Sequence, residues 1–491
     1  MWTPLRRRGG PPDGRPPQSE RLLIPQPLIK RRLPSGRGAS EQPNVTSDGE
    51  SRLTPAFWAV LVATGVAAGL FGDALMWFLF TIEHVVFGYH TGELETGVAH
   101  ASSLRRVVPL LVAGLVGGTG WYLLRRYTPG EKSEIDDAIW NGDGRLSFRR
   151  SIGTSVLSEL VIGMGASIGR EAAPKLMGGV SASVLAGWAG LSPAQRRLLV
   201  ACGGGAGFAA VYNVPLGGAL FTAEVMVGSL ALPVVLPALA CSGIATAVAW
   251  IYLPNHASYV GIPAFGFTMP LMVWALLAGP VLGVIAAGYI RLIGWVSYYR
   301  ITGRRSILAM VAAFGILGVI GIAYPQLFGN GKDLALNAFA GVGGFGLMLA
   351  LFALKPLVTS LCLGSGASGG LFTPTFSTGA AFGAAFGIAW NLLWPGSPSG
   401  AYALVGAAAM LGAAMQAPLA SLALVLELTH SGFGIMVPML AATVTATLVA
   451  RYIDGYSIYS ARLPPRKGGP PRRARPPGGP DDAGPDDLDT A

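Results

Sequence analysis

The residues of this chain best placed to do chemistry are charges and hydroxyls set in an apolar body. The first is Gly169-Arg170-Glu171, followed by Ala172-Ala173-Pro174 and a short apolar run. Charge in such surroundings is expensive, so each instance is a functional candidate. The spacing predicts Glu171 at a helix start, where unpaired N–H groups and aligned peptide dipoles attract anions. A carboxylate there is a tethered anion competing with any mobile one, and protonation would end the competition. The plainer reading is a first-turn glutamate that stabilises its own helix. A second start of this kind lies in GSGASGGLFTP (364–374), where Gly370, Leu371 and Phe372 would offer backbone amides instead of a carboxylate. Near the end, Tyr459 in SIYSARL could bring a phenolic O–H to an anion; taken alone it reads as an interfacial anchor.

These residues need a framework, and composition says which. Of 491 residues 52% are hydrophobic and 12% charged, and the 70 glycines are about 14% of the chain, against roughly 25% charged and 7% glycine in soluble proteins. Residues 1–53 hold ten Lys/Arg and five Asp/Glu, and residues 464–491 five of each, leaving 20 basic and 15 acidic residues across 54–463. So sparse a charge excludes a soluble enzyme and predicts an all-α polytopic membrane domain. The two ends, 1–53 and 464–491, read as disordered Pro-, Gly- and charge-rich tails without a regulatory domain or a cleaved secretion signal. The net charge of +10 fits basic residues flanking membrane spans, with both tails in the cytoplasm, and not nucleic-acid binding. Cys202, Cys241 and Cys362 show no metal spacing and read as small apolar fillers; no metal or cofactor is expected.

Within 54–463, segments 57–80, 107–124, 271–290, 306–323 and 434–451 are long enough to span. Segments 172–188, 193–201, 374–392, 402–414 and 418–428 look too short or interrupted, and several abut Gly-rich stretches such as Gly203-Gly204-Gly205 and Gly366–Gly370. Helices broken inside the membrane would need such stretches. An internal repeat agrees: NVPLGGALFTAEVM (213–226) aligns with QAPLASLALVLELT (416–429), and GREAAPKLMG (169–178) with GLFTPTFSTG (370–379). The halves run over about 54–252 and 270–463. Repeats with interrupted helices point to a channel or transporter whose site lies between them.

Together these motifs resemble the CLC family of chloride channels and proton-coupled chloride exchangers. The resemblance spans about 54–463 and rests on GREAA (169–173), NVPLGGALFTAEVM (213–226), GLFTP (370–374), AMQAPLASLALVLELT (414–429) and IYSARL (458–463). It implies two inverted repeats in a homodimer with one pore per subunit, set in the lipid bilayer of the cell membrane. It implies Glu171 as the gate; anion-holding amides at Leu371 and Phe372, next to the Gly370 read above; and the Tyr459 hydroxyl on the same anion. Arg170, beside the gate, is expected to bias the local potential toward anions.

Three departures qualify the resemblance. The family's GSGIP serine aligns with Gly130, so that hydroxyl ligand is lost or comes from elsewhere, leaving chloride, nitrate and fluoride as candidate anions. The proline after the gate moves from Ala173 to Pro174, which a first helical turn tolerates. The second of two glutamates that pass protons inward in many exchangers is Val225 here, after Glu224, which favours uncoupled conduction over proton-coupled antiport. Glu224 and Glu427 read as structural groups at paired helix ends, and Lys355 as a side chain that snorkels or pairs with an acid. A reading from another class is an intramembrane serine protease using Ser368, in Gly366-Ala367-Ser368-Gly369, with His430. It leaves Glu171 and the repeat unexplained, and His430 reads more simply as a solvated helix cap.

Overall fold

The computed structural model describes residues 53–89, 94–131 and 134–463; both tails, and Ser133, lie outside that description. Seventeen α-helices follow in order among the described residues: α1 Pro55–Phe87, α2 Leu94–His100, α3 Ser103–Tyr127, α4 Ile135–Trp140, α5 Phe148–Gly163, α6 Ala172–Trp188, α7 Pro193–Tyr212, α8 Pro215–Leu220 (continued by a π-turn, Phe221–Val227), α9 Leu232–Ala249, α10 Met269–Tyr298, α11 Arg305–Ala323, α12 Lys332–Phe339, α13 Phe345–Gly364, α14 Phe372–Asn391, α15 Ser399–Met415, α16 Pro418–Thr429 and α17 Met436–Ile453. Eight are long and apolar enough to cross a membrane. Their outward faces carry exposed Leu115, Val319, Leu308 and Trp295, which suits lipid as the surrounding solvent. The protein is a multi-pass membrane protein.

The five expected spans all appear, joined by α9, α13 and α14. Two short segments are longer than expected. The 374–392 run is a 20-residue helix, α14, and 193–201 continues to Tyr212, so Gly203-Gly204-Gly205 lies inside α7 and starts nothing. Those glycines serve contact instead. A Cβ on Gly203 would strike the Gly178 carbonyl of α6, and one on Gly207 the Pro174 carbonyl. The second half repeats the device: Cβ atoms on Gly379 of α14 and Gly406 of α15 would each come 2.5 Å from the other's carbonyl oxygen. Small residues let helix backbones approach where packing, not water, drives association.

The repeat is explicit in the backbone. Asn213 ends α7 and Gln416 ends α15, both left-handed at φ 56° and 57°. Val214 and Ala417 follow with φ −132° and −139°, and then Pro215 and Pro418 open the next helices, where a missing N–H costs nothing. α6 packs on α7 as α14 packs on α15, and α1 on α9 as α10 on α17.

Glu224 and Glu427 tie the halves together. Glu427 accepts N–H bonds from Leu216 (3.0 Å) and Gly217 (2.5 Å) at the start of α8. Glu224 accepts from Leu419 (3.4 Å) and Ala420 (2.7 Å) at the start of α16. Each carboxylate thus satisfies the orphan donors of the other half's helix. Replacing Glu427 by alanine should lower stability by about 2 kcal/mol, because two charge-assisted bonds are lost at a half-buried helix start. Thermal denaturation in detergent would show it; an unchanged midpoint would mean the cap is idle.

Candidate functional site

The site lies where the two equivalent helix starts meet. The turns before α6 and α14 pair antiparallel: Gly169 N–H donates to Gly370 O (2.9 Å) and Gly370 N–H to Gly169 O (2.8 Å). This brings two positive helix ends together. Glycine at both places leaves room for the Glu171 side chain, since a Cβ on Gly169 or Gly370 would displace its carboxylate from its present position.

Glu171 is 3% exposed. Its carboxylate makes no capping bond to its own helix and reaches instead across the repeat: Oε1 accepts the Phe372 N–H at 2.7 Å. Oε2 lies 3.4 Å from the Tyr212 hydroxyl, which also bonds the Thr373 hydroxyl at 2.7 Å. A carboxylate of one half therefore occupies the helix start of the other, in the manner of a bound anion. Of the amides expected at the site, that of Phe372 meets Glu171, while that of Gly370 is spent on the bridge. Leu371 is fully buried just before the first turn of α14.

Arg170 is buried, its guanidinium 5.1 Å over the Tyr212 ring and 5.6 Å over that of Phe80. It lines a cavity of about 220 Å³, together with Glu83, His84, Tyr89 and Lys332, a vestibule beside the residue that precedes Glu171. At its rim, α2 is held by Asp333, which accepts the Glu95 N–H at 2.6 Å. Glu95 lies outside the spans, and burial pushes its carboxyl above the ordinary range although the Gln326 and Asn337 amides donate to it.

One helical turn past Glu171, Lys175 is ion-paired with Asp136 of α4 (3.4 Å). Its ammonium lies 4.7 Å over the Tyr459 ring, within range of a cation–π contact. Tyr459 is 5% exposed and packs edge-on against Phe221, centroids 5.7 Å apart. The hydroxyl on Glu171 is thus that of Tyr212, not Tyr459. Two cations, Arg170 and Lys175, act on the Glu171 carboxylate, and Lys175 has a counter-ion of its own in Asp136.

Sequence reasoning missed Tyr212, Thr373 and Lys175. Lys175 had a signal, since it is a charge in an apolar run. Tyr212 had none beyond standing next to Asn213. Lys355 differs from its expectation, for it neither snorkels nor pairs with an acid. It is fully buried, and its ammonium donates to Ser167 Oγ (2.8 Å), Gly329 O (3.0 Å) and Leu327 O (3.3 Å). Gly130 stands in an exposed left-handed turn, where an added Cβ would meet no atom within 4 Å. Val225 is buried in the π-turn. Ser368 offers its carbonyl to Ser158 Oγ (2.8 Å), and His430 is an exposed left-handed cap of α16. Among the described residues no hydrogen bond joins the two, so the protease arrangement is not formed.

Comparison with known proteins bears on the fold and the family. A family model described as voltage gated chloride channel matches residues 110–451. A protein of Ralstonia nicotianae, whose name places it with ClcB-like chloride channels, is 32% identical over 77% of this chain and 89% of its own. An H(+)/Cl(−) exchange transporter, ClcA, of Yersinia pseudotuberculosis is 28% identical over 74% of this chain and 79% of its own. The crystal structure of a slow cyanobacterial Cl−/H+ antiporter superimposes with a TM-score of 0.72 at 23% identity, covering 83% of this chain and 97% of that one.

Proposed function

We propose that this chain, which belongs to the voltage gated chloride channel family, carries chloride or a similar small anion across the cell membrane past the joined starts of α6 and α14, with Glu171 as the gate. The observation that carries the reading is the Glu171 carboxylate on the Phe372 N–H at 2.7 Å. A group held there by charge blocks a mobile anion and mimics it. Protonation removes the charge, weakens the bond and frees the helix start. Backbone N–H groups at Leu371 and Phe372, the field of Arg170 and Lys175, and the Tyr459 hydroxyl then receive the anion. With Gly130 in place of a serine, the hydroxyl share falls to tyrosine, and a buried ammonium at Lys175 offsets the loss.

The permeation is uncoupled in this reading. Val225 has no proton to give, and the neighbouring Glu224 is engaged with the Leu419 and Ala420 N–H groups. Protons are needed only to release Glu171. The chain works as a homodimer with one path per subunit, both tails in the cytoplasm. The alternative, proton-coupled exchange, draws support from the exchanger named among the relatives and would require an inner proton route that bypasses Val225. One assay separates them. In liposomes with an imposed chloride gradient, the full-length protein is expected to pass chloride without moving protons uphill. Sustained uphill proton movement would replace the uncoupled reading with the exchanger.

A further inference from the structure

Three carboxylates and one guanidinium come together where α1, α5 and the start of α6 meet. Glu83 of α1 borders the vestibule and accepts the Tyr89 O–H at 3.1 Å. Glu171 has the Phe372 N–H and the Tyr212 hydroxyl. Glu159 of α5 has no protein donor: it is 0% exposed, and neither of its oxygens meets a hydrogen-bond partner among the described residues. The charges that reach it are those of Arg170, Glu171 and Glu83. Arg170 is close by with its Nε buried and likewise unpartnered. α5 packs on α1, α3 and α6, and among the described residues no other charge faces Glu159 from them. α3 presents Gly117 and Leu124 to Val161 and Gly153, and its Arg125 donates to Gly366 O (2.9 Å). On α6, Lys175 is taken by Asp136, while Arg150 at the far end of α5 donates to Thr128 O (2.8 Å). Asp73 of α1 lies nearly three helical turns from Glu83, by Tyr252 and Leu253.

An ionised carboxylate buried without donors costs several kcal/mol. Lys175 also acts on Glu171, and Lys332 and Asp333 on Glu83, so it is Glu159, reached by Arg170 and two carboxylates and given no donor, that must hold a proton. Glu83 and Glu171 have donors that favour their ionised forms, and Glu159 has none. While Glu171 is latched on Phe372, the proton therefore rests on Glu159. We propose that Glu159 is the proton-holding partner of the gate: Glu159 as acid and Glu171 as carboxylate exchange one proton to become Glu159 carboxylate and Glu171 acid. The new charge on Glu159 then faces Arg170. The proton is made good from the vestibule by way of Glu83. Ile162, which lines the vestibule, stands three residues from Glu159 and hence on the same face of α5. The role makes Glu159 a positioning residue for the proton, acting through Glu171, and it rests on Glu171 being the gate.

The test measures chloride efflux against pH from liposomes holding the full-length protein, for wild type, Glu171→Gln, Glu159→Gln and Glu159→Asp. Glu159→Gln is expected to keep the acid-limit flux and to move the activation midpoint toward acid by about one pH unit. Glu171 would have lost the neighbour that hands it a proton and would have to be protonated from the vestibule instead. Glu159→Asp, which restores a carboxyl at shorter reach, should recover part of that shift, and it carries the test if the amide variant fails to fold. A flat Glu171→Gln profile with both Glu159 variants superimposed on wild type would overturn the proposal and leave the gate standing. A Glu171→Gln profile that still follows pH like wild type would remove the gate, and this proposal with it.

Discussion

Replacing Glu171 by glutamine is expected to raise chloride efflux about tenfold at neutral pH and to leave it flat as pH is varied. The magnitude follows from the bond that is changed. A charged acceptor on a helix-start N–H is roughly twice as strong as a neutral one, and a loss of about 1.5 kcal/mol is close to a factor of ten in the unlatched population. The flatness follows from the chemistry of the amide, which has no proton to gain. Wild type, by contrast, should conduct more as pH falls, because protonation discharges the carboxylate that holds Phe372. Liposome efflux with a chloride electrode reads both effects, and a glutamine variant with wild-type rate and wild-type pH response would end the gating role.

The second large effect is on assembly. Gly203→Leu should cost more than about 3 kcal/mol, beyond ordinary overpacking, because the new Cβ meets the Gly178 carbonyl, and backbone cannot turn aside as a side chain can. Gly406→Leu should fail in the same way at the matching crossing of α14 and α15. Gly243→Leu on α9, where nothing lies within 4 Å, is the control and should stay within about 0.5 kcal/mol of wild type. Recovery of folded protein by size exclusion, followed by thermal denaturation, separates the three. A Gly203→Leu protein as stable as the control would mean that α6 and α7 do not depend on this contact.

These glycines show how far the sequence could be read. The helix starts at Glu171 and Phe372 were legible, because Gly-rich stretches before short apolar runs have few other uses. So were the Pro-Leu repeats and the structural part played by Glu224 and Glu427. Gly203-Gly204-Gly205 was misassigned for a physical reason: in a bilayer, glycine serves close packing as often as turning, and local pattern cannot tell one from the other. The partners were out of reach altogether. Nothing near Tyr212 signals that its hydroxyl meets a carboxylate 41 positions earlier and a threonine 161 later. Likewise no local feature says that Glu427 caps α8 and not some nearer helix. Charge was the better guide: Lys175 and Glu159 both stand out in apolar runs once every buried charge is treated as a question.

The bond between Glu171 and Phe372 joins residues 201 positions apart, and that distance has a meaning in time. A ribosome making this chain delivers the carboxylate long before the amide that will hold it, as it does Glu224 before Leu419 and Ala420. Through that interval the first half is a membrane fragment with an unmatched acid at its centre and open helix ends. Newborn chains must therefore be kept from leaking and from pairing wrongly until the second half is threaded. The gate can latch only once the start of α14 has been made.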